Sequence, residues 1–94
     1  MSVTVQKNTP IQTTLAVTLT RIIAGDDVRL IHVSAPSEIF LVYDNALVDG
    51  DAVPATARFR IPANVVYPIL ITGVRPFICA TSGAVIATLI GYYD

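Results

Sequence analysis

Three short apolar runs decide how this chain is read: Ile69-Leu70-Ile71-Thr72, Phe77-Ile78-Cys79-Ala80-Thr81 and Ala84-Val85-Ile86-Ala87-Thr88-Leu89-Ile90. Gly73 to Pro76 separates the first two, and Ser82-Gly83 separates the last two. Runs rich in Ile, Val, Thr and aromatics, punctuated by Gly and Pro, read as strands joined by turns. The break Thr81-Ser82-Gly83-Ala84 predicts a tight hairpin with Gly83 at a positive φ. In the last run both alternating sets are apolar, Val85, Leu89 and Tyr93 against Ile86, Ile90 and Tyr92. A strand of that kind is expected to be covered on both faces.

Working outward, the same β pattern extends to the start of the chain. Val3-Thr4-Val5-Gln6 alternates and predicts a short first strand. Thr13 to Thr20 alternates most clearly, with Leu15, Val17 and Leu19 on one face and Thr14, Ala16, Thr18 and Thr20 on the other, as suits a half-solvated strand. Ala24-Gly25-Asp26-Asp27 reads as a turn. Val28 to Ser34 is a strand of mixed register, which a β-bulge near Leu30-Ile31 would reconcile. Glu38 to Tyr43 is apolar on both faces, Ile39 and Leu41 against Phe40 and Val42. Asp44 to Ala55 is the longest loop, with an apolar tip at Leu47-Val48 that is expected to dock. Thr56 to Ile61 alternates again, with Ala57, Phe59 and Ile61 inward and Arg58 and Arg60 outward. Pro62-Ala63-Asn64 ends it, and Pro68 limits pairing in the segment that follows. About seven or eight strands with short connections favour antiparallel pairing. The expected fold is all-β, a single antiparallel β-sandwich over residues 1–94, jelly-roll-like or Ig-like in layout.

The composition narrows the function. The chain has 94 residues, 53% hydrophobic and only 14% charged, with one lysine. Ordinary globular domains carry about 25% charged residues, and a small domain has proportionally more surface to solvate. The conflict disappears if part of the surface is buried against other chains. The net charge of −1 gives no bulk attraction to nucleic acid. A lone cysteine, Cys79, excludes an internal disulfide and fits a buried thiol behaving as a small hydrophobe. The first residues lack a basic segment followed by an apolar one, so no signal peptide is expected. Pro76 to Tyr93 is uncharged, but Pro76 and Thr81-Ser82-Gly83 interrupt it, which argues against a membrane span.

No residue set carries evident chemistry. His32 is the only histidine, which leaves no catalytic triad and no multi-histidine metal site; a strand or interface role is expected. Asp44, Asp49 and Asp51 share one loop and offer oxygen ligands for calcium, but their spacing is not that of an EF-hand, and turn chemistry accounts for them. Arg58 and Arg60 point the same way, toward solvent or toward an acidic surface such as those aspartates in a neighbouring chain. Tyr92-Tyr93-Asp94 closes the chain with amphipathic contact residues. No P-loop, dinucleotide fingerprint or Gly-x-Ser-x-Gly elbow is present, so neither an enzyme nor a cofactor is expected.

The progression Ile61-Pro62-Ala63, Tyr67-Pro68-Ile69 and Phe77 through Tyr92 resembles the closing hairpin of small structural proteins of tailed-bacteriophage virions. The resemblance covers about the last third of the chain, and no functional residue is carried over by it. It implies a β-sandwich that decorates or cements the capsid surface, as a homodimer or homotrimer bound to a major capsid protein, with no nucleic acid and no membrane. Phe40, Val42, Ile86, Ile90 and Tyr92 are the expected contacting face, with Arg58 and Arg60 setting register. The alternatives are a carbohydrate- or ligand-binding β-sandwich module and a small tail or head-completion protein.

Overall fold

β-branched and aromatic runs fold as strands here, and their alternation fixes which side chains meet. The computed structural model describes residues 2–92, and among these there is no helix. Nine strands follow in order: β1 (Val3–Val5), β2 (Ile11–Leu15), β3 (Thr20–Ala24), β4 (Leu30–Ser34), β5 (Ile39–Tyr43), β6 (Phe59–Ile61), β7 (Tyr67–Leu70), β8 (Pro76–Ala80) and β9 (Val85–Tyr92). They form a five-stranded sheet, β1-β3-β8-β5-β6, and a four-stranded sheet, β2-β9-β4-β7.

The pairing is nested about the middle of the chain. β5 pairs with β6, β4 with β7, β3 with β8 and β2 with β9, all antiparallel. A long hairpin rolled upon itself gives this pattern, and two further antiparallel pairings, β4 with β9 and β5 with β8, close the roll. This is the strand order of a double-sheet jelly roll, with β1 added in parallel beside β3. The sandwich core lies between the sheets, where Leu15, Ile31, Ile39, Leu41, Ile78 and Leu89 are fully buried.

Among the described strands, only β5 and β6 are consecutive in both sequence and sheet; every other link crosses from one sheet to the other. Three sequence expectations change for this reason. Gly83 does take a positive φ of 64°, but the turn it makes joins β8 to β9 across the sandwich and is not a hairpin. Thr13 to Thr20 is not one strand: β2 ends at Leu15 and β3 begins at Thr20. Leu15 and Leu19 are buried in different clusters, and Val17 between them is exposed. The bulge near Leu30-Ile31 is not needed, because β4 pairs in step with β9 and β7. The turn before it, with Asp27 at φ 68°, resets the register instead, and leaves Val28 buried just outside the strand.

The stretch expected as a strand from Thr56 to Ile61 is ordered as a strand only over Phe59–Ile61. β6 is a sheet edge, so Ile61 reaches the core while Phe59, on the same side, lies beyond its cover and is exposed, touching Tyr43 edge-on. Ala57 does not point inward; it is exposed at φ 31° in the turn before β6. At the end of the sandwich the backbone approaches closely at Gly91. A Cβ there would meet Gln6 O at 2.9 Å and both Val28 methyls at 3.0 Å, so any side chain pushes β9 away from the segment after β1.

Candidate interface: the two outer faces of the sandwich

Each sheet has an outer face, and the two differ in what lies on them. On the five-stranded sheet, alternation turns Phe40 and Val42 of β5 and Phe77 and Cys79 of β8 outward. With Leu19 they form a second buried cluster, against which Leu47 and Val53 pack. Residues 44–58, connecting β5 to β6, therefore run across this face as a strap. The apolar tip expected to dock does so through Leu47 on the chain's own sheet, while Val48 stays exposed.

Backbone and carboxylates hold the strap down. The Leu19 N–H donates to Asp51 O, and the Gly50 N–H donates to Leu19 O, each at 2.8 Å. Asp49 Oδ1 accepts from the Arg21 N–H at 2.8 Å, Asp51 Oδ2 from the Val48 N–H at 2.9 Å, and Asp44 Oδ1 from the Ala46 N–H at 2.7 Å. The three loop carboxylates thus serve separate backbone groups. Among the described residues no cluster of three or more His, Cys, Asp or Glu is placed to hold a metal. Burial pushes the Asp49 carboxyl up, but hydrogen bonding and positive charge, Arg21 among their sources, outweigh it and hold it below the ordinary carboxylate value. Burial likewise pushes the Cys79 thiol up, against smaller opposite pulls from the Arg58 charge and the Phe40 backbone.

The arginines complete the cover. Arg58 lies over the Phe40 ring at 4.2 Å and donates to Pro54 O at 3.3 Å, while Arg60 lies at 5.4 Å from the same ring and pairs with Glu38 Oε1 at 2.8 Å. Phe40 is left 6% exposed and Val42 1%. Phe40 and Val42 are therefore not an open contacting face: the place expected for a second subunit is taken by residues 44–58. Arg60 finds its acidic partner within the chain, and Arg58 is used on Phe40.

Among the described residues, nothing covers the four-stranded sheet in this way. Its outward residues lie in cross-strand rows: Leu70, Leu30 and Tyr92, then Pro68, His32 and Ile90. Beside them come Ser34, Thr88 and Gln12, then Ile86 and Thr14. Ile86 is 53% exposed and Leu70 62%. No residue of β2, β4, β7 or β9 is Asp, Glu, Lys or Arg. His32 sits in the middle of this face, its ring 4.8 Å from that of Tyr92, and Cys79 lies on the opposite side of the sandwich. The two cannot share a ligand. Ile86, Ile90 and Tyr92, expected in the contacting set, are together here; Tyr93 and Asp94 lie outside the described residues. Leu30, Leu70 and Thr14 join them unforeseen. The signal for them was the absence of charge from the outward set of four separate strands.

Among the described residues, hollows open beside each of these faces. One, of about 320 Å³, lies at an end of the uncharged face between Ser34, Pro36, Val66, Ile86 and Thr88. The other, of about 510 Å³, lies where β3 and the β7–β8 connection diverge, bordered by Arg21, Asn45 and Arg75. None of the lining residues in either is aromatic, so neither offers a ring on which a sugar stacks. Among the described residues no helix is long and apolar enough to cross a membrane.

The chain gives no match when compared with family models, with curated proteins and with solved structures.

Proposed function

We propose that this chain is a non-enzymatic structural subunit of a tailed-phage virion, a decoration or cement protein that stabilises the capsid surface through oligomeric apolar contacts. The observation that carries this reading is the open outer face of the four-stranded sheet, built from four strands without a single charged residue. A monomer gains nothing from presenting Leu70, Ile86 and Val66 to water. Each buried side chain of this kind is worth about 1.5–3 kcal/mol, and exposed apolar surface rimmed by polar residues marks an association site; here Leu70, Leu30, Ile90 and Ile86 lie among Ser34, Thr88, Gln12 and Thr14. The sequence resemblance in the last third of the chain points to the same class, and jelly rolls are a common architecture of virus shells. Repetition over a symmetric shell turns weak single contacts into strong attachment.

The ligand-binding alternative is not favoured, because both hollows lack aromatic linings. The test is to add purified chain to capsids of the phage that encodes it, lacking the protein. Stoichiometric binding to the shell, with a rise in the temperature at which capsids open, is the expected result. Density only at the tail or the portal vertex would instead favour a completion protein, and absence from the particle would overturn the reading.

A further inference from the structure

We propose that the outer face of the four-stranded sheet is a two-fold interface with a second copy of this chain. The inference rests on the structural-subunit reading and names the partner of its open face.

Three observations select a second copy. The face has no charge on any of its four strands. Specificity for a different protein is usually written in complementary charge, and here there is none to read. A copy of the same face brings neither repulsion nor an unpaired charge. The second observation is shape: the surface is an open sheet face, and sheets pack face to face about 10 Å apart with their outward side chains interleaved. The chain's other sheet cannot be the partner surface, because the strap already covers it.

The third is area. With 5105 Å² of accessible surface over 94 residues, about 54 Å² each, the eleven outward residues present roughly 600 Å² per copy, so a pair buries about 1,200 Å², the lower end of specific interfaces. A face-to-face pair is isologous and closes at two copies. Weak and transient encounters lie at this end of the size range, so the test spans micromolar to millimolar concentrations.

Sedimentation velocity of the purified chain from 1 μM to 1 mM tests this. A reversible monomer–dimer equilibrium is expected. Ile86→Lys and Leu70→Lys, both at exposed positions, should each weaken it at least tenfold, and Val48→Lys on the strap should leave it unchanged. Far-UV circular dichroism and a protected Cys79 thiol confirm that each variant is folded. A chain that stays monomeric at 1 mM, one that forms trimers, or a dimer indifferent to both lysines overturns the proposal. A monomer that still binds capsids removes the two-fold interface and leaves the virion reading standing; a dimer that never binds them does the reverse.

Discussion

The central strands β5 and β9 are both apolar over successive residues, yet one outward side is closed and the other open. Phe40 and Val42 of β5 lie under residues 44–58, with Arg58 resting on the Phe40 ring. Ile86 of β9 lies half in water, and Thr88, Ile90 and Tyr92 beside it are only partly covered by their sheet neighbours. A jelly roll of this length has one connection long enough to cross a sheet, the one between the innermost pair β5 and β6. It covers one face. Among the described residues the other face has no such cover, and the proposed second copy is what would close it.

The comparison breaks most visibly at the strap. Phe77 is fully buried in the outer cluster, so Phe77→Ala should cost about 3–5 kcal/mol of stability, as for other large core truncations, measured by urea unfolding of the dilute monomer. A loss below about 1 kcal/mol would mean the strap does not close over the sheet. Acid sharpens the same point. The folded Asp49 carboxyl lies below its ordinary value, so its contribution is present above an unfolded pKa of about 4 and is lost as pH falls through the lower folded value. The urea midpoint should therefore fall between pH 5 and pH 2.5, and Asp49→Asn should lose less over that window than the parent chain.

Smaller effects are expected at the exposed positions. Arg60 and Glu38 are paired but solvent-accessible, with side chains 63% and 39% exposed, so Arg60→Ala should cost under about 1 kcal/mol. On the open face Ile86→Thr should change monomer stability by no more than about 0.5 kcal/mol, while weakening self-association several-fold by sedimentation. A large loss of monomer stability there would show that Ile86 is already buried within one copy.

Much of this architecture was legible in the residues. The short apolar runs of β4, β5, β8 and β9, the turn at Ala24 to Asp27 and the break at Pro62-Ala63-Asn64 all announce short antiparallel strands, and the sandwich follows from them. What local pattern could not supply was the sheet to which each strand belongs. Thr81-Ser82-Gly83-Ala84 suits a hairpin and a sheet crossing equally, because both need one residue at positive φ. Leu15-Val17-Leu19 keeps a period of two in sequence through a crossing, and nothing in that local pattern marks the bend at Val17 where the chain changes sheets. The strap was hidden for a related reason. Asp49 accepts from Arg21, and Asp51 O accepts from Leu19, partners roughly thirty residues away, so the loop reads as ordinary turn chemistry until the roll brings them together. The same distance effect misassigned Phe40 and Val42, since two-faced apolarity says that a cover exists and not whose it is.

The asymmetry between the faces is tested most directly by thiol labelling at one position on each. Cys79, native to the chain, reports the strapped face; Ile86→Cys in a Cys79→Ala background reports the open one. The account expects Cys79 to label slowly and at a rate independent of protein concentration, because its own chain covers it. The thiol at position 86 should label at close to the rate of an unfolded control when dilute, and become protected as concentration rises toward 1 mM. Fast labelling of Cys79 in the folded chain, or a rate at position 86 that ignores concentration, would contradict it.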